Sequence, residues 1–447
     1  MGKRNKHRGA TASAFFQARV LVPIALLLPA LAAAYIWYNQ PEPQVRASVD
    51  VRTIVATDTV GYSRAEGPIP LRFPDDHAAH PDFKVEWWYY TGNVAAPDGR
   101  RFGYQFTLFR NALAPPDTST RATEWGTNQL YMGHLALTDI AANRFYAFER
   151  FSRGAADLAG SHAQPFRVWL EDWEAAQAGP TMPPMRIRAS EGGVQLDLML
   201  EPMKPMVLQG DRGYSVKGPG AGNASYYYSY TRLNTTGRIE TPEGSYEVQG
   251  LSWMDREWSS SLLDKHQVGW DWFSLQLTDR REIMYFIVRE GGAEAQPYAD
   301  GVVVQPDGSR IPLHPGELTL DAVDTWESPL DGATYPSGWR MQIPSQRIDL
   351  SIEPAIKNQE VDLSVRYWEG SVTVTGSSDG RPVDGRGYVE LTGYARSSRS
   401  FDEELSDEEL LSMPRDWQPG AKAPTAEPPP GDAKVGTKEP GAKRKTN

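Results

Sequence analysis

The sequence predicts an all-β fold for the folded part of the chain. The segment Arg101 to Phe109 alternates large apolar side chains with small or polar ones, which is typical of a strand with one buried face. Helical periodicity is missing from Ser63 to Tyr394. The chain also contains 14 Trp and 20 Tyr residues. Such rings suit β surfaces and apolar pockets, because each supplies a large flat contact area.

Strand-like runs cover the whole of this body, and two pairs of them predict strong hairpins. The first hairpin joins 85–92 to 101–109, and the second joins 270–278 to 283–289. The further runs are 130–138, 144–151, 166–173, 185–189, 193–201, 225–233, 246–251, 301–304, 318–320, 338–343, 347–352, 364–368, 370–375 and 387–394.

A faint internal repeat divides the body into two tandem units. Glu86-Trp87 precedes one aromatic hairpin, and about 170 residues later Glu257-Trp258 precedes another. We therefore predict a first β domain over 65–244 and a second over 245–398, with the boundary near Gly244. Barrels or curved sandwiches of this size have room for one small apolar ligand.

The two ends of the chain differ from the body. Basic residues precede an uncharged run of 19 residues, Val20 to Tyr38, close to the roughly 20 needed to cross a bilayer. We therefore predict that residues 1–38 form an uncleaved signal anchor. The alternative is a signal peptide, because Ala32 to Ala34 offer a cleavage site. We expect 39–64 to be a linker and the rest of the chain to lie outside the cytoplasm, either anchored to the inner membrane or secreted. A short acidic helix and a disordered tail are predicted for 399–447.

Composition excludes several classes of partner and site. The net charge of −11 argues against nucleic acid as a partner. The absence of cysteine excludes disulfides, thiolate metal sites and a cysteine nucleophile.

The stretch Gly250 to Trp258, G-L-S-W-M-D-R-E-W, is the strongest candidate for a site. In an extended chain Trp253, Asp255 and Glu257 share one face. A carboxyl beside an indole in a dry pocket could hold a proton near neutral pH, which makes Asp255 a candidate general acid. The alternative is an acid paired with Arg256 or capping a strand end, with the tryptophans filling core.

Other candidate residues carry weaker signals. His77 and His80 lie among acids, but their spacing matches no metal-site template, so we predict neither a metal nor another cofactor. His134 is either a pocket base or a satisfied core histidine. The run around Ser252 lacks the closing glycine of a G-x-S-x-G elbow, which leaves a secreted hydrolase as a less favoured reading.

Several motifs in order resemble one known superfamily. They are 85–92, 102–110, 134–139, 225–233, 250–258 and 388–394. These residues are similar to the carotenoid 1,2-hydratase (hydroxyneurosporene synthase) superfamily, and more closely to its AttH-like branch of secreted proteins. The resemblance covers about 65–396 and implies two lipocalin-like β domains with an apolar cavity.

The resemblance also implies roles for particular residues. In the hydratase branch an aspartic acid protonates an isoprenoid double bond without a cofactor, and the matching residue is Asp255. Trp253 matches an aromatic position of that branch, and Tyr226 and Tyr228 fall in a stretch that supplies pocket residues. The predicted ligand-binding residues are Trp87, Trp88, His134, Tyr226, Tyr228, Trp253 and Trp258.

Two functional classes follow from these observations. The protein is either a tethered module that binds an apolar lipid or isoprenoid, associated with the permease of an ABC-type exporter as the resemblance implies, or an enzyme of the hydratase type. A catalytic pocket requires Asp255 to be buried against Trp253 and tyrosines beside a cavity. A carrier would place that acid in an exposed pair.

Overall fold

A computed structural model describes residues 59–116, 126–261, 263–264, 266–291 and 297–395. The predicted signal segment, residues 39–58 of the linker and the predicted tail lie outside these ranges. Within them, no helix has the length and apolar character needed to cross a bilayer.

The described chain is built from antiparallel strands, which confirms the predicted all-β fold. Short 3-10 helices are present at Asp75–His77 and Pro344–Gln346. The strands preceding the first change of sheet are β1 (Val85–Ala95), β2 (Arg101–Ala112), β3 (Gln129–Asp139), β4 (Arg144–Arg153), β5 (Ala159–Ala163), β6 (Phe166–Leu170), β7 (Trp173–Gln177), β8 (Met185–Glu191), β9 (Val194–Pro202), β10 (Val207–Leu208), β11 (Tyr214–Val216), β12 (Ala224–Thr241) and β13 (Gly244–Ser261).

The remaining strands form the second part of the body. They are β14 (Gln267–Leu277), β15 (Glu282–Glu290), β16 (Tyr298–Val304), β17 (Arg310–Leu313), β18 (Thr319–Ala322), β19 (Thr325–Glu327), β20 (Thr334–Pro336), β21 (Trp339–Ile343), β22 (Ile348–Pro354), β23 (Glu360–Asp362), β24 (Arg366–Ser378) and β25 (Arg381–Thr392).

Two large sheets contain almost all of these strands. The first sheet has 13 strands in the order β4-β3-β2-β1-β13-β12-β9-β8-β7-β6-β5, with β10 and β11 paired to β12. The second has 10 strands in the order β17-β16-β15-β14-β25-β24-β22-β21-β18, with β23 paired to β24. Strands β19 and β20 form a separate two-stranded ladder. This tandem arrangement fits the predicted pair of lipocalin-like units.

The chain changes sheet between Ser261 and Gln267. The boundary expected near Gly244 falls instead in the turn between β12 and β13, two paired strands of the first sheet. Pro242 and Gly244 signal a turn, and a hairpin turn carries the same residues as a domain junction. Strand β13 therefore belongs with the first sheet.

Each sheet curls around an apolar core of its own. In the first, Phe106 of β2 packs on Trp173 of β7, with ring centroids 6.2 Å apart. In the second, Phe273 of β14 packs on Trp339 of β21 at 5.4 Å. A third apolar cluster lies where the sheets face each other, and it includes Tyr89, Tyr227, Trp253, Trp272 and Phe286.

Polar contacts join the two sheets around that third cluster. Asn93 of β1 donates to the carbonyl of Gly387 at 3.0 Å and accepts from Ser371 at 2.6 Å. A Cβ atom on Gly103 would lie 2.4 Å from the Cβ of Ser371, so the sheets approach closely here. Lys204 lies 2.7 Å from Glu282 of β15, and both are buried. Because these partners come from both sheets, they fix the space between them.

Candidate active site

A cavity lies between the two sheets and is lined by both. Its volume is about 120 Å³, whereas a single water molecule requires about 10–15 Å³. The first sheet and its loops contribute Val85, Trp87, Tyr89, Gln105, Phe109, Met132, His134, Lys217, Tyr227, Asp255, Glu257 and Leu263. The second contributes Trp270, Trp272, Phe286, Val288, Val365, Tyr367, Glu369, Glu390 and Thr392. Most of this wall is aromatic or aliphatic.

Asp255 lies on the wall that the first sheet provides, and it is 3% exposed. Strand alternation places Trp253, Asp255 and Glu257 on the cavity side of β13, while Met254 and Trp258 enter the core of the first sheet. The structure thus produces the shared face that alternation predicts.

Three donors surround the Asp255 carboxyl. Its Oδ1 accepts from Ser229 Oγ at 2.5 Å and from the Trp253 indole at 2.6 Å. Its Oδ2 accepts from the Tyr227 hydroxyl at 2.6 Å. No cation pairs with it among the described residues. Burial raises the pKa of Asp255 to about 7, even though these three hydrogen bonds favour the ionised form.

The local fold of β12 brings the donors to the acid. Ser229 lies directly opposite Asp255 across the β12–β13 ladder. Register shifts on both sides of Tyr226 to Tyr230 bend the strand around this point. The Tyr227 hydroxyl also accepts from the Trp272 indole at 3.3 Å, and Tyr227 and Asp255 both line the cavity.

A second group of acids lies on the wall that the other sheet provides. Glu369 of β24 is directly opposite Glu390 of β25 in the ladder. The Tyr89 hydroxyl donates to Glu369 Oε1 at 2.7 Å. Burial, reinforced by the charge of Glu390, raises the pKa of Glu369 well above its usual range. Burial raises the pKa of Glu390 to about 7, against the opposing effect of the Trp270 indole.

The fourth acid of the cavity has a cationic partner. Lys217 Nζ lies 2.9 Å from Glu257 and 4.2 Å from the centre of the Phe286 ring. Lys217 thus pairs with Glu257 and lies over the face of an aromatic ring. Among the described residues, no group of three or more histidines or acids is arranged to hold a metal ion.

The arrangement can bind an apolar molecule and exchange a proton with it. Aromatic faces surround the Asp255 carboxyl, whose pKa burial raises to about 7, and the paired carboxyls of Glu369 and Glu390 lie on the facing wall. These are the requirements of general acid chemistry on a substrate with little polarity.

Comparison with known proteins agrees with this architecture. The AttH-like family model matches residues 64–394. The chain belongs to the AttH-like family. Among solved structures, a protein assigned as an AttH from Nitrosomonas europaea is similar at 34% identity, with a TM-score of 0.65, covering 74% of this chain and 100% of that one. No curated protein matches the chain.

A kievitone hydratase from Nectria haematococca also shares the fold. Its TM-score is 0.58 at 14% identity, and the match covers 78% of this chain and 97% of that one. At this identity the likeness concerns the fold alone.

The predicted site residues of this AttH-like protein fall into two groups. Trp87 and His134 line the cavity, and Trp253, which is outside its lining, donates a hydrogen bond to Asp255. Trp88, Trp258, Tyr226 and Tyr228 lie outside the cavity lining, in the core of the first sheet. They point to the opposite side of β1, β12 and β13 because alternate residues of a strand face opposite ways.

The histidines singled out by the sequence are held by hydrogen bonds. His134 bridges the Tyr367 hydroxyl at 2.7 Å and Glu149 at 3.0 Å. His77 contacts the Tyr228 hydroxyl at 2.6 Å, and His80 stacks on Trp258 with ring centroids 3.9 Å apart.

Ser252, the serine of the incomplete elbow, forms no hydrogen bond with a histidine among the described residues. Its hydroxyl bonds to those of Tyr104 at 2.5 Å and Thr235 at 2.6 Å.

The residues of the site that sequence reasoning missed include Tyr227, Ser229, Glu369 and Glu390. Tyr227 and Ser229 share a face of their strand, but nothing in the sequence tells which face of β12 meets the cavity. Glu369 and Glu390 lie more than a hundred residues from Asp255 in the chain. The available signal was one acid among aromatic and aliphatic residues in each of two strand-like runs, R-Y-W-E-G and Y-V-E-L-T.

Proposed function

We propose that this protein binds an apolar lipid or isoprenoid-type molecule in the cavity between its sheets and adds water across one of its double bonds. Asp255 supplies the proton. The observation that carries the proposal is a buried carboxyl with no cationic partner among the described residues, at the wall of a ring-lined cavity. A carrier requires no such acid.

The chemistry balances with the residues of the cavity. The O–H bond of neutral Asp255 breaks as the π electrons of the alkene take its proton, which leaves a cation at the more substituted carbon. The oxygen of a water molecule forms a bond to that carbon. The water then loses a proton, and that proton restores the Asp255 carboxyl.

The aromatic side chains of the cavity walls would stabilise the carbocation intermediate. A positive charge over a ring face gains about 0.5–2 kcal/mol per ring, and Trp87, Tyr89, Tyr227, Trp270 and Trp272 all line the cavity. Several rings acting together lower the barrier by several kcal/mol, and each 1.36 kcal/mol is worth about tenfold in rate.

We also propose that the folded part is tethered outside the cytoplasm and works beside an ABC-type exporter that supplies or removes the apolar molecule. The support is the uncharged run Val20 to Tyr38 behind a basic flank. Membrane fractionation of the full chain, with and without a high-salt wash, tests the tether. Recovery of the protein in the soluble fraction would contradict it.

The proposed chemistry is tested by incubating the full chain with acyclic isoprenoids in heavy water. Squalene, lycopene and geraniol serve as probes, and mass spectrometry follows both added water and deuterium incorporated by protonation. We expect Asp255→Asn to lower deuterium incorporation about 100-fold or more, the usual size of a general acid's contribution.

The matched control is Asp271→Asn, which removes a buried acid that bonds to Arg289 and Tyr394 away from the cavity. This variant should retain incorporation. Equal rates in wild type and Asp255→Asn would remove the acid role. Lipid extracts of the purified chain that contain no apolar species would count against the cavity as a binding site.

A further inference from the structure

The paired acids of the second sheet have no role in the proton transfer just described. Glu369 and Glu390 are direct neighbours across the β24–β25 ladder, and both line the cavity. Opposite residues of such a ladder have Cβ atoms about 4.5–5.5 Å apart. Two ionised carboxylates at that separation in a dry wall would repel each other strongly, so the pair is stable only when it holds protons.

Glu369 differs from Asp255 in having an oxygen without a partner. Its side chain is fully buried, its Oε1 accepts from Tyr89, and its Oε2 meets no hydrogen-bond partner in the described part of the chain. Asp255 has three donors on its two oxygens. Additional hydrogen-bonding capacity is therefore available at the glutamate pair.

A protonated carboxyl offers one donor and one acceptor to a neighbour. A hydroxyl group offers the same two functions, so it can satisfy such a pair without bringing charge into the cavity. An ammonium group would require the pair to be ionised, and the described residues contain no arrangement of three acids or histidines suited to a metal ion.

We propose that Glu369 and Glu390 bind the hydroxyl group of an otherwise apolar ligand, which makes the ligand an unsaturated alcohol rather than a hydrocarbon. The inference deepens the proposed function and rests on the cavity being its ligand site. Tyr89 lies opposite Asp255 in the β1–β13 ladder and donates to Glu369. Tyr89 therefore connects the strand position beside Asp255 to the glutamate that would bind the hydroxyl group.

The experiment compares two probes of one skeleton. Geraniol and the hydrocarbon in which a methyl group replaces its hydroxymethyl group are titrated into the full chain. Quenching of tryptophan fluorescence reports binding, because Trp87, Trp270 and Trp272 line the cavity. We expect the alcohol to bind about tenfold more tightly, the size of one buried hydrogen bond.

Two substitutions locate the preference. Glu369→Leu should bind both probes equally, whereas Glu369→Gln, which keeps a donor and an acceptor, should retain most of the preference. Glu360→Gln is the matched control, since Glu360 is a buried glutamate that accepts the Tyr335 hydroxyl at 2.9 Å outside this cavity. If Glu369→Leu fails to fold, Glu390→Leu replaces it with the same expectation.

The outcomes separate this inference from the proposed function. Failure of the wild type to bind either probe overturns both. Equal binding of the two probes, or a preference that survives Glu369→Leu, overturns the hydroxyl site alone. Tighter binding of geranylamine than of geraniol also overturns it, because an ammonium would then be the group that the acids select.

Discussion

Glu86 and Asp255 are acids buried to a similar depth on paired strands, yet the pKa values of their carboxyls are shifted in opposite directions. Their exposed fractions are 0% and 3%. Glu86 forms ion pairs with Arg110 and Arg256. Although burial alone would raise it, the two guanidinium charges hold the pKa of Glu86 well below its usual range. Asp255 has donors but no cation, and burial raises its pKa to about 7.

Burial thus produces a general acid only where the buried carboxyl has no cationic partner. Arg256 is next to Asp255 in the chain, but it lies on the other face of β13, stacked 4.1 Å over the Trp88 ring. The strand thus places its cation in the core of the first sheet and its proton donor in the cavity.

The largest expected effect on stability comes from removing Glu86, the acid that is paired with two arginines. Glu86→Gln leaves two buried guanidinium groups without their acid and should lower the free energy of unfolding by about 3–5 kcal/mol. Asp255→Asn leaves no charge unpaired and removes a carboxyl that is partly ionised in a buried wall at pH 7, so it should not lower the free energy of unfolding at that pH. Urea unfolding followed by tryptophan fluorescence measures both. A similar loss in the two variants would refute the distinction.

A smaller effect should appear in the dependence of stability on pH. Burial raises the pKa of Asp255 from 3.8 to about 7, so the folded state binds more protons than the unfolded state between these values. The stability that this group contributes is complete below about pH 4 and is lost as the pH rises through 7. Each pH unit in this window costs on the order of 1 kcal/mol.

Asp255→Asn should therefore gain stability relative to wild type as the pH is raised from 5 to 8. Unfolding titrations at the two pH values test this, and Asp271→Asn serves as a second buried-acid comparison. If proton transfer from Asp255 limits deuterium incorporation, the wild-type rate should fall about tenfold per pH unit above about 7. A rate that rises with pH through this range would contradict a protonated Asp255.

The smallest expected effect comes from removing the single hydrogen bond that the Tyr227 hydroxyl donates to Asp255. Tyr227→Phe removes a donor to the Asp255 carboxylate and should move the midpoint of the activity profile upward by about one pH unit. Tyr228→Phe removes a hydroxyl on the opposite face, where it contacts His77. That control should leave the midpoint unchanged. Equal shifts in the two variants would show that the effect is indirect.

Sequence patterns predicted the fold and the acid on one wall of the cavity, but they did not predict the acids on the other wall. Alternation in β1, β2 and β13 identified the strands and placed Asp255 with Trp253, because side-chain period depends only on the local backbone. Choosing Tyr227 over Tyr226 and Tyr228 as the residue that lines the cavity required knowing which side of β12 would be covered by a second sheet. That fact depends on contacts between distant segments, as does the meeting of Glu369 with Tyr89.

The division of the cavity between two sheets has a consequence for the diversification of such proteins. The described strands from β1 to β13 form the sheet that carries the proton-donating wall, and the facing wall belongs to the sheet that begins at Gln267. A hybrid gene that fuses the front half of one relative to the back half of another would inherit its reactivity from one parent and its selectivity from the other. Such hybrids remain foldable only where the partners of Asn93 and Lys204 are inherited as well.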